Sequence, residues 1–169
     1  MRRDDRLVRL SWDHHHALAM ARRLILEVES ASDEGLAMLY SDLVGFWSAG
    51  LLPHFRAEQE CLLARLIRHV APEDPAVTRT HSDHLYLEAL VATMRDQPDI
   101  ETRREALRRF AEALRAHVRW EEATLFALTQ ERCDPSYVGR VVSVMRVGLN
   151  SAGVLPLLVA PFLADAFGV

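Results

Sequence analysis

Seven of the eight histidines of this chain fall in four clusters: His14, His15 and His16; His54; His81 and His84; and His117. Only His69 stands apart. Two clusters share a pattern, "HFRAE" with His54 and Glu58, and "HVRWE" with His117 and Glu121. Residues four apart on a helix share a face and lie roughly 5–6 Å from each other, so each pair aims an imidazole and a carboxylate at one place. That is a chelating arrangement. Each pair also continues an apolar stripe, through Leu43, Trp47, His54, Glu58 and Cys61 in one case and Leu114, His117, Glu121, Leu125 and Leu128 in the other. An inward carboxylate without a partner loses its charge or destabilises the fold by several kcal/mol. Two of them beside several imidazoles call for a cation. Imidazole with carboxylate oxygen suits iron, zinc, copper or nickel, and four or five histidines with two glutamates exceed what one tetrahedral zinc needs. Two ions bridged by the carboxylates use that number. The candidate ligands are His14, His54, Glu58, His81, His84, His117 and Glu121. His14 continues the stripe of Leu10, Leu18 and Ala21 and is preferred to His15; His81 and His84 share a face, so both could serve.

The elements that must position these residues are helices. Half of the 169 residues are hydrophobic, Gly and Pro number only 7 each, and the apolar period is that of helices, so the chain reads as one all-α domain. Four long helices are expected: about 4–30; about 33–70, with Ser32 or Asp33 as its cap; from Pro75 through Asp96, stopping at "QPD"; and about 99–131. Connections this short fold each helix back on its neighbour, giving an up-down-up-down four-helix bundle. At ~1.5 Å per residue, His14 lies roughly 24 Å from the first turn of chain reversal and His54 roughly 28 Å, while His84, His81 and His117 lie roughly 18, 22 and 25 Å from the last one. The four clusters meet at about one height. Pro53, one residue before His54, removes a helical N–H and releases the carbonyl of Ala49, which is expected to bend the helix and aim His54.

Composition excludes several functions. With 20 Lys+Arg against 24 Asp+Glu the net charge is −4, and the basic residues are spread out, so nucleic acid is not an expected partner. Cys61 and Cys133 form no CxxC pair, and "MRRDDRLVRL" lacks the apolar run of a signal peptide; a reducing, cytoplasmic setting is expected. After "CDP" the composition changes. Residues 1–132 are read as the bundle and 133–169 as an apolar helical extension, packed on the bundle or on a second copy of the chain to make a homodimer. Gly148, Asn150, Gly153, Pro156 and Pro161 interrupt its apolar run, which ranks a membrane role lower.

The order His, HxxxE, His, HxxxE, with "LLPHFRAEQECLL" and "HVRWEEATLF" around the pairs and "DH" opening "DHHHAL" and "DHLYL", resembles the hemerythrin-like or HHE cation-binding family over roughly residues 5–130. The Glu-x-x-His pattern of ferritin-like bundles is absent. The resemblance implies that His14, His54, Glu58, His84, His117 and Glu121 match the motif, with Glu58 and Glu121 bridging a non-haem di-iron centre. A proline that often follows each pair in the family is Ala64 and Ala127 here. Members bind oxygen, sense oxygen or iron, or act in nitric-oxide responses and iron–sulfur repair. The function expected is therefore metal binding rather than catalysis, with two iron ions and a small diatomic ligand, oxygen or nitric oxide. A nitric-oxide-response or repair factor is the alternative; so is a structural bundle holding zinc or another transition metal.

Overall fold

A computed structural model of the chain describes residues 7–96 and 99–133. These residues form four long helices and no strand: α1 (Val8–Glu27), α2 (Asp33–Leu66), α3 (Pro75–Asp96) and α4 (residues 100–132). α2 and α4 start at side-chain caps. Ser32 Oγ accepts the N–H of Gly35 at 3.2 Å, with Asp33 and Glu34 complementing the helix dipole, and Asp99 accepts the N–H of Thr102 at 2.7 Å. α1 and α2 end earlier than the apolar period suggests. Past Leu66 the N–H groups of Arg68 and His69 turn back to the carbonyls of Arg65 and Leu66, a tighter turn that closes α2 four residues before position 70. Past Glu27 the carbonyls of Val28 and Ala31 are taken by the Arg104 guanidinium of α4, at 2.5 and 3.2 Å.

α2 and α4 are not uniform helices. α2 widens to π-helix at Trp47–Leu51 and again at Glu58–Leu63; α4 widens once, at Glu121–Leu125. The first widening meets Pro53. Just before the proline the ladder lengthens: the N–H of Leu52 reaches back to the carbonyl of Trp47. The ring of Pro53 thus enters a turn whose bonding has already been displaced.

α4 packs along both α1 and α3, and the buried residues separate into two apolar clusters. The larger includes Ala17, Leu24, Leu43, Phe55, Leu87, Phe110 and Leu114; the smaller includes Leu7, Leu10, Cys61, Leu66, Leu125 and Phe126. Fully burying each such leucine or phenylalanine contributes about 1.5–3 kcal/mol. Between the clusters lies a layer of buried polar side chains. By length and composition α2 is apolar enough to cross a membrane, yet it carries two residues of that layer and sets Leu36, Leu43, Leu62 and Leu66 into the bundle interior. Of the apolar extension expected over 133–169, all but Cys133 lies outside the described residues.

Candidate metal centre

Each helix contributes to the polar layer. α1 supplies His14, α2 His54 and Glu58, α3 His84, and α4 His117 and Glu121; none is more than 3% exposed. All four imidazoles point Nε2 at the two carboxylates. His54 Nε2 lies 3.2 Å from Glu58 Oε1 and His84 Nε2 3.3 Å from Glu58 Oε2, so one carboxylate reaches toward both sides of the layer. Glu121 does the same: its Oε2 lies 3.2 Å from both His14 and His117, and its Oε1 3.9 Å from His84. His14 also approaches Glu58 Oε1, at 3.8 Å.

Among the described residues none of these eight atoms, four Nε2 and four carboxylate oxygens, has a hydrogen-bond partner. Eight buried polar atoms left so would strongly oppose folding unless something binds them together. They divide into two groups, His14, His54, Glu58 and Glu121, and His84, His117, Glu58 and Glu121. Within each group the ligand atoms lie within 4.8 Å of one another. Donors about 2.1 Å from an ion stand roughly 3–4 Å apart, so each group fits one transition-metal ion, and both glutamates belong to both groups.

The outward ring nitrogens are engaged. His14 Nδ1 lies 2.8 Å from Glu122 Oε1, His84 Nδ1 3.3 Å from the Gln59 carboxamide, and His54 and His117 Nδ1 each 3.4 Å from Oδ2 of Asp13 and Asp83. A carboxylate that accepts from Nδ1–H keeps the proton there and turns the Nε2 lone pair inward, as metal-ligating histidines require. Two phenylalanines clamp the rings. Phe55 stacks on His84 with centroids 3.9 Å apart, and Phe126 on His14 at 5.1 Å.

The electrostatics favour positive charge at the centre. Burial alone would depress His14, but Glu121, Glu122 and Glu58 outweigh it and hold the imidazole up, to about 11. Against the same effect of burial, Glu58 and Asp13 hold His54 up, to about 9. Burial would raise Glu58, yet His54, His14 and His84 keep its carboxyl well below the usual range. Asp83 is likewise lowered against partial burial, by His117 and Arg79. A cluster that prefers cationic neighbours this strongly suits a metal cation.

Of the candidate ligands read from the sequence, six converge. His81 does not: it is exposed on α3, one turn before His84, and belongs to neither group, so the structure does not bring His81 and His84 to one place. His15, His16 and His69 are also exposed. Asp13, Gln59, Asp83 and Glu122 were not among the candidates. Their sequence signal is adjacency, one residue before His14 and His84 and one after Glu58 and Glu121. Each serves a histidine on another helix, which spacing along one helix does not reveal.

The family model for the hemerythrin HHE cation binding domain matches residues 7–129. No curated protein and no solved structure matches the chain.

Proposed function

The chain belongs to the hemerythrin HHE cation-binding domain family, and from that membership we propose that it is a non-haem di-iron protein binding oxygen or another small diatomic ligand with redox change, as carrier or sensor. The observation that carries the reading is the set of eight inward, unpartnered ligand atoms in two groups that share both glutamates. His14 and His54 would hold one ion, His84 and His117 the other, and Glu58 and Glu121 both. Iron held by imidazole and carboxylate supplies a reversible one-electron change and affinity for small diatomic molecules. The chain's residues do the rest. Asp13, Asp83 and Glu122 fix the ring protons on Nδ1; the stacked Phe55 and Phe126 restrict the rings; the apolar clusters on either side keep bulk water from the layer. A site walled in this way disfavours charged ligands and favours small neutral ones.

Alternating helix directions belong to the same proposal, since connections this short join neighbouring ends. So does a cytoplasmic setting, in keeping with Cys61 and Cys133, which are unpaired and buried. The test is the absorption spectrum of protein isolated without metal-affinity resin. A diferric centre absorbs in the near ultraviolet and visible, and the reading expects the bands to bleach on reduction and to change again when oxygen or nitric oxide is added. A spectrum silent above the protein bands, with zinc present, would replace it with the structural zinc reading. Iron bands indifferent to both gases would leave a di-iron protein without the proposed ligand.

A further inference from the structure

The two halves of the site are related by a repeat that is not complete. Asp13 and His14 of α1 correspond to Asp83 and His84 of α3, and His54 and Glu58 of α2 to His117 and Glu121 of α4. Within each half the same contact recurs: Asp13 backs His54 as Asp83 backs His117. The residue after each glutamate backs the histidine of the far half. Here the halves differ, because that residue is Glu122 behind His14 and Gln59 behind His84.

We propose that the two ion positions are therefore inequivalent, the one between His14 and His54 filling first and holding its ion more tightly. This rests on the two-ion reading above. Behind the first position stand two carboxylates, Glu122 at 2.8 Å from His14 and Asp13 at 3.4 Å from His54. Behind the second stand a neutral amide, 3.3 Å from His84, and Asp83, which is shared with the Arg79 guanidinium at 3.5 Å. Asp13 has no such cation among the described residues. A carboxylate accepting from Nδ1–H raises the basicity of Nε2 and adds negative charge near the ion; the amide does neither to the same degree. If the Gln59 oxygen faces Nδ1 it is the weaker acceptor. If its nitrogen faces Nδ1, the ring proton sits on Nε2 and the amide must turn before that nitrogen can bind metal. Arg79 is itself held, 4.6 Å over the Trp120 ring, so its charge stays beside Asp83. Groups behind a ligating histidine change metal affinity by about 10–100-fold, which sets the separation expected.

The experiment titrates the metal-free full-length protein with Co2+ against a competing chelating dye. Two uptake steps separated by about 10–100-fold are expected, and at one equivalent the ring N–H resonances of His14 and His54 should be paramagnetically shifted ahead of those of His84 and His117. Gln59→Glu should tighten the second step by about tenfold, and Glu122→Gln should weaken the first by a similar factor. Two ions taken up in one step with equal affinity would overturn the inequivalence alone. So would first filling at His84 and His117, or a second step unmoved by Gln59→Glu. A protein that takes up no Co2+ would overturn the two-ion reading and this inference together. The number of steps and the order of filling are read on the unaltered chain, so those outcomes do not depend on either variant folding.

Discussion

α2 and α4 carry the same chemistry on differently built helices. Each brings a histidine and a glutamate four residues on into the polar layer, and each opens into π-helix at that glutamate, Glu58–Leu63 in one and Glu121–Leu125 in the other. Where each of these π turns begins, the glutamate N–H is shared between two carbonyls, those of His54 and Phe55 or of His117 and Val118. Only α2 has an additional widening, at Trp47–Leu51, and only α2 has a proline there; the position matching Pro53 is Ala116, inside an unbroken α-helix from Ile100 to Trp120. The widening common to both helices goes with the ligands. The one found in α2 alone goes with the proline, which cannot supply an N–H and crowds the carbonyl four residues back. Single π turns inside α-helices recur at functional sites, but this pair of helices separates a turn tied to the site from one tied to the backbone.

If the glutamates are equivalent bridges, Glu58→Ala and Glu121→Ala should have equal and severe effects. Each is expected to lower affinity for both ions by more than ~100-fold, beyond the loss typical of an outer partner, as read by metal content after dialysis against a chelator. Loss of one ion from one variant and two from the other would break the equivalence. His84→Ala is expected to empty the second group of a ligand and leave about one tightly held ion, whereas His81→Ala, on the exposed side of α3, should leave metal content unchanged. Asp13→Asn and Asp83→Asn remove charge without removing a ligand and should weaken binding by about tenfold. Asp13→Asn should be the stronger, since Asp83 already shares its charge with Arg79. Pro53→Ala should matter least, keeping metal content and shifting the thermal midpoint by no more than about 4 °C. A lost ion in that variant would tie the α2 widening to ligand placement after all.

The residues that converge are those whose burial poses a problem in the sequence. A histidine and a glutamate on an apolar stripe need compensation, and two such pairs with "DH" on the other helices make a cation the simplest answer. The four helices are equally legible from apolar spacing, because each must bury one face. Their ends are not: Ile67, His69 and Val70 continue the composition of α2, and only the return of two N–H groups to carbonyls three residues back stops it. Arg104 reads as one more charge in an Arg-rich solvated stretch, yet it caps the end of α1 from 73 residues or more away in sequence. The outer partners are hidden for a related reason. Asp13 stands beside His14 in the chain and serves His54 across the bundle, a pairing that exists only once helices have docked. The two π turns at the site are hidden too, since each begins at the glutamate and leaves the four-residue spacing of its pair intact.

The central claim is that six side chains from four helices hold two ions through two shared carboxylates. It is tested most directly by counting metal in the full-length protein, produced in iron-supplemented medium and purified without metal-affinity resin, against protein concentration from amino-acid analysis. Two iron ions per chain are predicted, falling together when either Glu58 or Glu121 is replaced by alanine. A single ion per chain that survives both replacements, or no stoichiometric metal at all, would contradict the account.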